Sequence, residues 1–486
     1  MAKRKQRKQT GAARGKRGGA GARGAQEPAA PVVGFVSLGC AKNLVDSERM
    51  LGQIAESGAI ITGDESAADT IVVNTCGFLD AARQEALDTI RELAARKRSG
   101  QLRRLVVAGC LVQRDGRDLL AAVPEIDALV GVHNRDDVPA AVWGPERAAG
   151  VREKAARKEP DLFLGEYHPQ AWSDQGRLRL TPQHYSYVRM SEGCDQKCTF
   201  CTIPSIRGPM HCKTPEALVA ECRELLTDGT RELILIGQDT TSYGRDIGYG
   251  AGLAGLLRTL DAQCAAARWI RLMYVYPSIF TDEMIAAIAE CARVVRYIDI
   301  PLQHINDRML KAMGRRVTRK QTETLLEKLR ERIAGVTIRT TFIVGFPGET
   351  EAEFAELVEF ARGFGFDALG AFVYSREEGT PAARMVDQLD DGVRHERYER
   401  LMLAQQEVAF AAARRRVGTD LEVVVDGMGE DGRVVARHAG QAPEVDAVCR
   451  LSDAGYEAGE VVRARCVDTD GYDLVLKPQR RGLPMR

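Results

Sequence analysis

Ser191-Glu192-Gly193-Cys194-Asp195-Gln196-Lys197-Cys198-Thr199-Phe200-Cys201 sets three thiols at Cys-x3-Cys-x2-Cys spacing on one short loop. Three is the informative number. A cubic 4Fe-4S cluster has four irons, so three protein thiolates leave one iron free to take a small molecule. Structural zinc wants four ligands, and the nearest further candidates, His211 and Cys212, stand about ten residues on in a different local context. A zinc loop and a set of unliganded buried thiols are the alternatives at this point.

The segments around this loop alternate strand and helix. Tyr185 to Met190 enters it; Glu232 to Ile236 leads to Gly237-Gln238-Asp239-Thr240-Thr241; Ile270 to Tyr276 follows. Tyr297 to Ile300 leads to Pro301-Leu302-Gln303-His304, Thr337 to Val344 leads to Gly345-Phe346-Pro347-Gly348-Glu349-Thr350, and Ala368 to Tyr374 closes the set. Helical periodicity covers 216–227, 281–291, 318–333 and 351–363. Six such strands predict a partial (βα) barrel, with its chemistry at the strand C-termini where polar loops emerge. The loop from Gly345 to Glu349 reads equally as a ligand-facing turn, with Glu349 meeting a ribose or an amino group, and as an ordinary helix-starting turn. His304 and Arg308 read as surface polar residues.

Upstream, order begins at Val32-Val33-Gly34-Phe35-Val36, which runs into Ser37-Leu38-Gly39-Cys40 and a helix over 44–56. The pattern returns at Thr70 to Gly77, with Cys76, before a helix over 79–98, and again at Arg104 to Cys110. Each of these cysteines stands just past the C-terminal end of a strand. In an open parallel sheet such ends line one edge where ligands bind, so Cys40, Cys76 and Cys110 can converge although far apart in sequence. Three buried structural thiols are the alternative.

Composition bounds the rest. The chain has 486 residues, 44% of them hydrophobic, enough for two to four packed domains. Twelve cysteines with no hydrophobic secretory segment indicate a reducing cytoplasm rather than a disulfide scaffold, and no apolar run is long enough for a membrane helix. The formal net charge of zero hides a split, because residues 1–30 carry nine Lys/Arg against one acid, leaving the remainder at −8. That extension reads as disordered, fit either to hold RNA phosphates or simply to be solvated; a transit peptide is disfavoured because it lacks serine. The expected domains are 31–140 for the cysteine-edged α/β unit, 141–183 for an irregular linker, 184–416 for the (βα) barrel, and 417–480 for a terminal barrel.

That terminal unit follows a long helix over 393–415, whose closing Arg414-Arg415-Arg416 suits a helix C-terminus. Beyond it, Asp420 to Asp426, Arg433 to Arg437, Asp446 to Leu451, Val461 to Val467 and Asp473 to Leu476 are short strands between Gly/Asp turns. Five strands in about sixty residues predict a small oligonucleotide-binding-type β-barrel. Residues 417–477 hold thirteen Asp/Glu against six Lys/Arg, a net −7, which suits a basic protein partner better than RNA phosphates.

The whole, over about residues 32–480, resembles the methylthiotransferase family of radical S-adenosylmethionine (SAM) enzymes: a three-cysteine α/β domain, a radical SAM partial (βα)6 barrel and a small antiparallel β-barrel of the TRAM type. Ser37-Leu38-Gly39-Cys40-Ala41-Lys42-Asn43-Leu44-Val45-Asp46-Ser47-Glu48 is similar to the branch acting on an aspartate of small-subunit ribosomal protein S-twelve. So are Ile203-Pro204-Ser205-Ile206-Arg207-Gly208, Gln238-Asp239-Thr240 and Gly440-Gln441-Ala442-Pro443-Glu444-Val445-Asp446. Lys213 departs from the arginine expected in relatives, keeping the charge but losing the planar fork. The basic extension is a second departure.

The resemblance implies two 4Fe-4S clusters, with Cys194, Cys198 and Cys201 binding the one that holds SAM and Cys40, Cys76 and Cys110 binding the other. It implies SAM used twice, as methyl donor to a sulfur at the second cluster and as source of the radical that opens a C–H bond at the substrate β-carbon. Phe200, Gln238, Thr240, Gln303 and Gly345 are the implied SAM contacts; hydrogen abstraction calls for no catalytic acid or base. Implied partners are ribosomal protein S-twelve or the small ribosomal subunit, an electron donor such as flavodoxin or ferredoxin, and a sulfur source, in the cytoplasm and with no membrane. The competing activities are transfer RNA adenosine methylthiolation and, outside catalysis, an iron-sulfur protein that only binds the ribosome. The remaining cysteines, Cys212, Cys222, Cys264, Cys291, Cys449 and Cys466, read as small apolar core residues.

Overall fold

The computed structural model describes residues 30–144, 159–167, 172–453 and 455–479, so the basic extension, apart from its last residue, lies outside the described residues. The first sheet is built from β1 (Val32–Ser37), β2 (Ile60–Ile61), β3 (Thr70–Thr75), β4 (Arg104–Gly109), β5 (Ala128–Gly131) and β6 (Asp161–Phe163), all parallel and ordered β2-β1-β3-β4-β5-β6. Alternation along β3 sends Ile71 and Val73 to the helix Asp80–Arg98 and Val72 to the helix Ala41–Glu56. A sheet covered on both faces explains why these strands read as unbroken apolar runs. Its order reverses between β1 and β3, the switch point at which open α/β sheets bind ligands. Cys40 and Cys76 follow those two strands.

Two expectations need correction here. The sheet has six strands where the repeated pattern showed three, and its last strand, β6, lies inside the segment read as a linker. Three residues are too few to display alternation, and β6 pairs only at the sheet edge, through Ala128, Leu129 and Val130 of β5.

The second sheet follows the alternation closely: β7 (Tyr185–Arg189), β10 (Glu232–Ile236), β11 (Trp269–Leu272), β12 (Val294–Asp299), β13 (Thr337–Val344) and β14 (Ala368–Val373) lie side by side in chain order, all parallel. Between β7 and β10, the short pair β8 (Ser191–Glu192) and β9 (His211–Cys212) clasps the cysteine loop at its base. Capping boxes at Thr318/Gln321 and Thr350/Glu353 start two of the outer helices by satisfying their free N–H groups. The half-barrel is open, and its bore is filled from outside: Val45 of the first unit and Val424 and Ala442 of the third share one buried cluster with Tyr187, Ile234 and Tyr297.

The third unit closes into a barrel, β15 (Asp420–Met428), β16 (Val434–His438), β17 (Cys449–Leu451), β19 (Asp473–Pro478) and β18 (Val461–Asp470). It is not wholly antiparallel, because β17 and β19 pair in parallel across the chain's return. Its joint with the half-barrel is charged and buried. Glu232 meets Arg437 at 2.9 Å, Arg437 meets Asp426 at 2.7 Å, and Asp426 meets His184 at 2.7 Å. Tyr185 and Tyr187 donate to Glu444, and Tyr297 donates to Asp446.

Candidate active site

The three strand-end cysteines converge. Gly39, at φ +97°, packs so closely that a Cβ there would stand 2.7 Å from the Cys76 Cβ, and one on Gly77 would stand 2.8 Å from the Cys110 carbonyl. Only glycine lets these loops pass. Burial pushes the Cys110 thiol up to about 12 and raises Cys76; crowding opposes ionisation of Cys40 too, yet Lys42, Arg207 and the N–H groups of Asn43 and Lys42 bring it below its ordinary value.

On the second loop, burial raises Cys194 and Cys201 to about 12, against backbone N–H groups of Gln196 and Ile203 that point at their sulfurs at 3.4 Å. The loop is braced by Thr199, which donates to the carbonyls of Met313 and Ala312, and by Gln196, which donates to Asp239. Arg315 donates to the Cys198 sulfur at 3.6 Å and to the Pro301 carbonyl at 2.7 Å, with its plane 4.0 Å from the centre of the Tyr276 ring.

Both triads fit an iron-sulfur cluster. Thiols raised by burial, as Cys76, Cys110, Cys194 and Cys201 are, stay protonated until a metal's charge deprotonates them, and three thiolates leave one iron of a cube open. Among the described residues no three His, Cys, Asp or Glu side chains gather closely enough to hold a single metal ion. Zinc would need its sulfurs about 2.3 Å from one point, whereas a cube of irons takes its thiolates at separate corners. Ser191 Oγ and Gln238 Oε1 are buried beside the second loop without a hydrogen-bond partner among the described residues, open to a polar ligand such as SAM.

Arg207 ties the two triads together. Fully buried, it donates to the Cys110 sulfur at 3.1 Å and to Asn43 at 2.6 Å, and pairs with Asp46 and Glu192 at 3.0 Å each. Glu192 stands two residues before Cys194. Burial alone would raise the Glu192 carboxyl, but Arg207, Arg189 and Arg135 hold it far below the carboxylate range. The network continues through Arg189 to Asp46 and Asp174, and Lys213 pairs with Asp174 and Glu221 under the ring of Trp172. The anions of Lys213 are thus internal carboxylates, which a point charge serves without a planar fork.

Beside the second loop lies a cavity of about 290 Å³ to which all three units contribute, including Phe78, Phe200, Tyr274, Gln303, Arg339 and Val445. Among the described residues three that are not glycine hold a left-handed backbone: Tyr274 and Gln303 on the cavity wall, and Glu444 just before Val445. Strain of this kind persists where surrounding structure fixes a working surface.

The residues expected to contact SAM divide. Phe200 and Gln303 line the cavity. Gln238 donates to Glu192 at 2.9 Å, and Thr240 is buried with its hydroxyl donating to the carbonyls of Met273 and Tyr274. The Gly345 N–H donates to Glu349 at 2.7 Å, and Glu349 is buried between His304 and Arg397. This favours the structural reading of that turn. His304 is completely buried rather than a surface residue, whereas Arg308 is exposed and pairs with Glu353. Sequence reasoning passed over Arg207, Arg315 and Lys42, although Arg207 and Lys42 stand inside the quoted motifs.

Comparisons with known proteins match the three-unit architecture. Residues 32–131 match the uncharacterized protein family UPF0004, 188–361 the radical SAM superfamily, and 417–477 the TRAM domain. Among solved structures, the chain is similar in fold to the radical SAM methyltransferase TsrM from Kitasatospora setae with cobalamin and a 4Fe-4S cluster bound. The TM-score is 0.53 at 16% identity, over 73% of this chain and 77% of that one. The protein is a radical SAM enzyme. It is 43% identical over 447 residues to ribosomal protein uS12 methylthiotransferase RimO of Geobacter sulfurreducens, covering 91% of this chain and 97% of the relative. The corresponding RimO of Trichlorobacter lovleyi is 43% identical over 445 residues, with the same coverage of both chains. The chain belongs to the RimO family.

Proposed function

We propose that this protein replaces a hydrogen on the β-carbon of an aspartate in ribosomal protein uS12 by a methylthio group. Cys194, Cys198 and Cys201 would hold the SAM-binding cluster, and Cys40, Cys76 and Cys110 a second one. When bound, SAM and the clusters supply the methyl group, the site for sulfur and the oxidising power to open an unactivated C–H bond. An electron donor of the flavodoxin or ferredoxin kind and a separate sulfur source complete the balance, in the cytoplasm where ribosomes are.

What the chain's own residues do follows from their placement. Arg207 and Arg315 offer hydrogen bonds to one sulfur in each triad, to Cys110 and Cys198, and so orient those side chains. Phe200 packs against the buried cluster that holds Met309, Met313 and Phe346, and with the other apolar walls keeps water from the reacting carbon. The expected first unit, 31–140, extends to include β6 at 161–163, and with 184–416 and 417–480 as the other two units the third closes the bore. No acid or base is assigned.

The observation that carries the reading is the convergence of two three-thiol sets on one junction, bridged by Arg207. The acidic third barrel supports a basic protein over transfer RNA as its partner. Mass spectrometry of uS12 and of digested transfer RNA, from cells with and without this gene, tests it. Loss of the methylthio mass from uS12 in the deleted strain is expected. Its loss from transfer RNA alone refutes the reading and selects adenosine as the substrate.

A further inference from the structure

Lys42 is a cation only 8% exposed, on the first turn of the helix that follows Cys40. Its Nζ stands 3.5 Å from the centre of the Tyr274 ring and 3.4 Å from the Gly237 carbonyl oxygen. Among the described residues no carboxylate lies within ion-pair distance of it. The contrast with Lys213 is sharp, since that equally buried lysine is met by both Asp174 and Glu221. Arg207 and Arg315 each donate to a thiol, whereas Lys42 makes no hydrogen bond to sulfur among the described residues. Beyond the Cys40 sulfur, whose ionisation it favours, this desolvated ammonium contacts a ring face and one carbonyl and lacks, among the described residues, the carboxylate partner that burial ordinarily demands.

Its perch is held in place. Tyr274 keeps φ at +60° because its N–H donates to Asp299 at 3.1 Å and its carbonyl accepts from Thr240 at 3.1 Å. Tyr274 also lines the 290 Å³ cavity, so the ammonium stands one ring away from the space where substrate would lie. Four methylenes let the nitrogen leave the ring for a stronger partner.

We propose that Lys42 anchors a carboxylate brought into this cavity, that of the substrate aspartate, and so sets the enzyme's selection for an acidic residue. The inference rests on the functional reading above. In aspartate the carboxylate carbon is bonded directly to the β-carbon, so fixing the one positions the other for hydrogen removal. Asparagine, equal in size but neutral, would leave the ammonium unpaired.

The test uses the reconstituted full-length enzyme and recombinant uS12 carrying either aspartate or asparagine at the modified position. Unaltered enzyme should prefer aspartate by on the order of 100-fold in kcat/KM, and Lys42→Met should bring that preference below about tenfold. Lys42→Arg, which keeps a cation there, should retain most of it. Iron per chain, about eight for two clusters, and 5′-deoxyadenosine release without substrate are measured on the same preparations, so that loss of a cluster is told apart from loss of selection. A preference that survives Lys42→Met overturns the proposal, as does its equal loss in Lys42→Arg, which would make the role one of packing. Iron falling to half would assign Lys42 to the Cys40 cluster instead, and a fall in substrate-free SAM cleavage would assign it to the SAM carboxylate. Failure of unaltered enzyme to modify uS12 at all would count against the functional reading rather than against Lys42 alone.

Discussion

Replacing Arg207 by Met should loosen the junction of the first two units before it alters either sheet. The guanidinium makes four buried contacts, to Asp46, Glu192, Asn43 and the Cys110 sulfur. Removing one partner from a buried ion network costs about 3–5 kcal/mol, since the carboxylates are left desolvated. Arg189 and Arg135 still face both Asp46 and Glu192, which puts the loss near 3 kcal/mol, the lower end of that range. At about 1.4 kcal/mol per factor of ten, opening of this region should become roughly a hundredfold more frequent. Hydrogen exchange of the metal-free protein reads this directly at the Cys194 amide, which donates to Gly208 in the undisturbed loop. Arg207→Lys should fall between, because an ammonium cannot serve two carboxylates and a sulfur in one plane. Exchange within about threefold of the unaltered protein would show that Arg189 and Arg135 alone carry the network, and the account of Arg207 as the tie would be wrong.

Gly39→Ala should cost the second cluster alone: with φ at +97° and Cys76 2.7 Å away, the added methyl displaces a cysteine proposed as its ligand, so iron should drop from about eight to about four per chain while SAM cleavage persists. Full iron retention would contradict the packing at that turn. The joint of the third barrel should loosen in acid. Burial would raise Glu232, but Arg271 and Arg437 hold it below its ordinary value; burial is likewise outweighed at Asp426 by His184 and Arg437. Depressed carboxyls give stability that is complete above the ordinary carboxylate pKa of about 4 and is lost as pH falls through the lowered values. Exchange at β15 amides should therefore accelerate only below that range, and an onset near neutral pH would be inconsistent with these pairs.

The strands were legible because they are long and apolar, and Cys40, Cys76 and Cys110 because each follows such a strand beside glycine. What stayed hidden has two causes. Short edge elements such as β6 show no period, and the parallel pairing of β17 with β19 depends on how the chain returns, which no local pattern records. Side-chain roles set by distant partners are equally silent. Asp46 lies 161 residues from Arg207, and the environment that buries His304 between Glu349 and Asn306 assembles only in the folded chain.

The shared filling of the half-barrel's bore bears on how the chain is made. Tyr187 and Ile234 belong to a cluster completed by Val424 and Ala442. Roughly 240 residues separate Tyr187 from Val424, and at about 5–20 residues per second the ribosome needs on the order of 10–50 s to traverse them. Through that interval the nascent bore has the first unit's Val45 against it but lacks the cover that Val424 and Ala442 supply. A stop codon placed after the (βα) barrel, at about residue 416, should therefore yield a chain that aggregates rather than a smaller working enzyme.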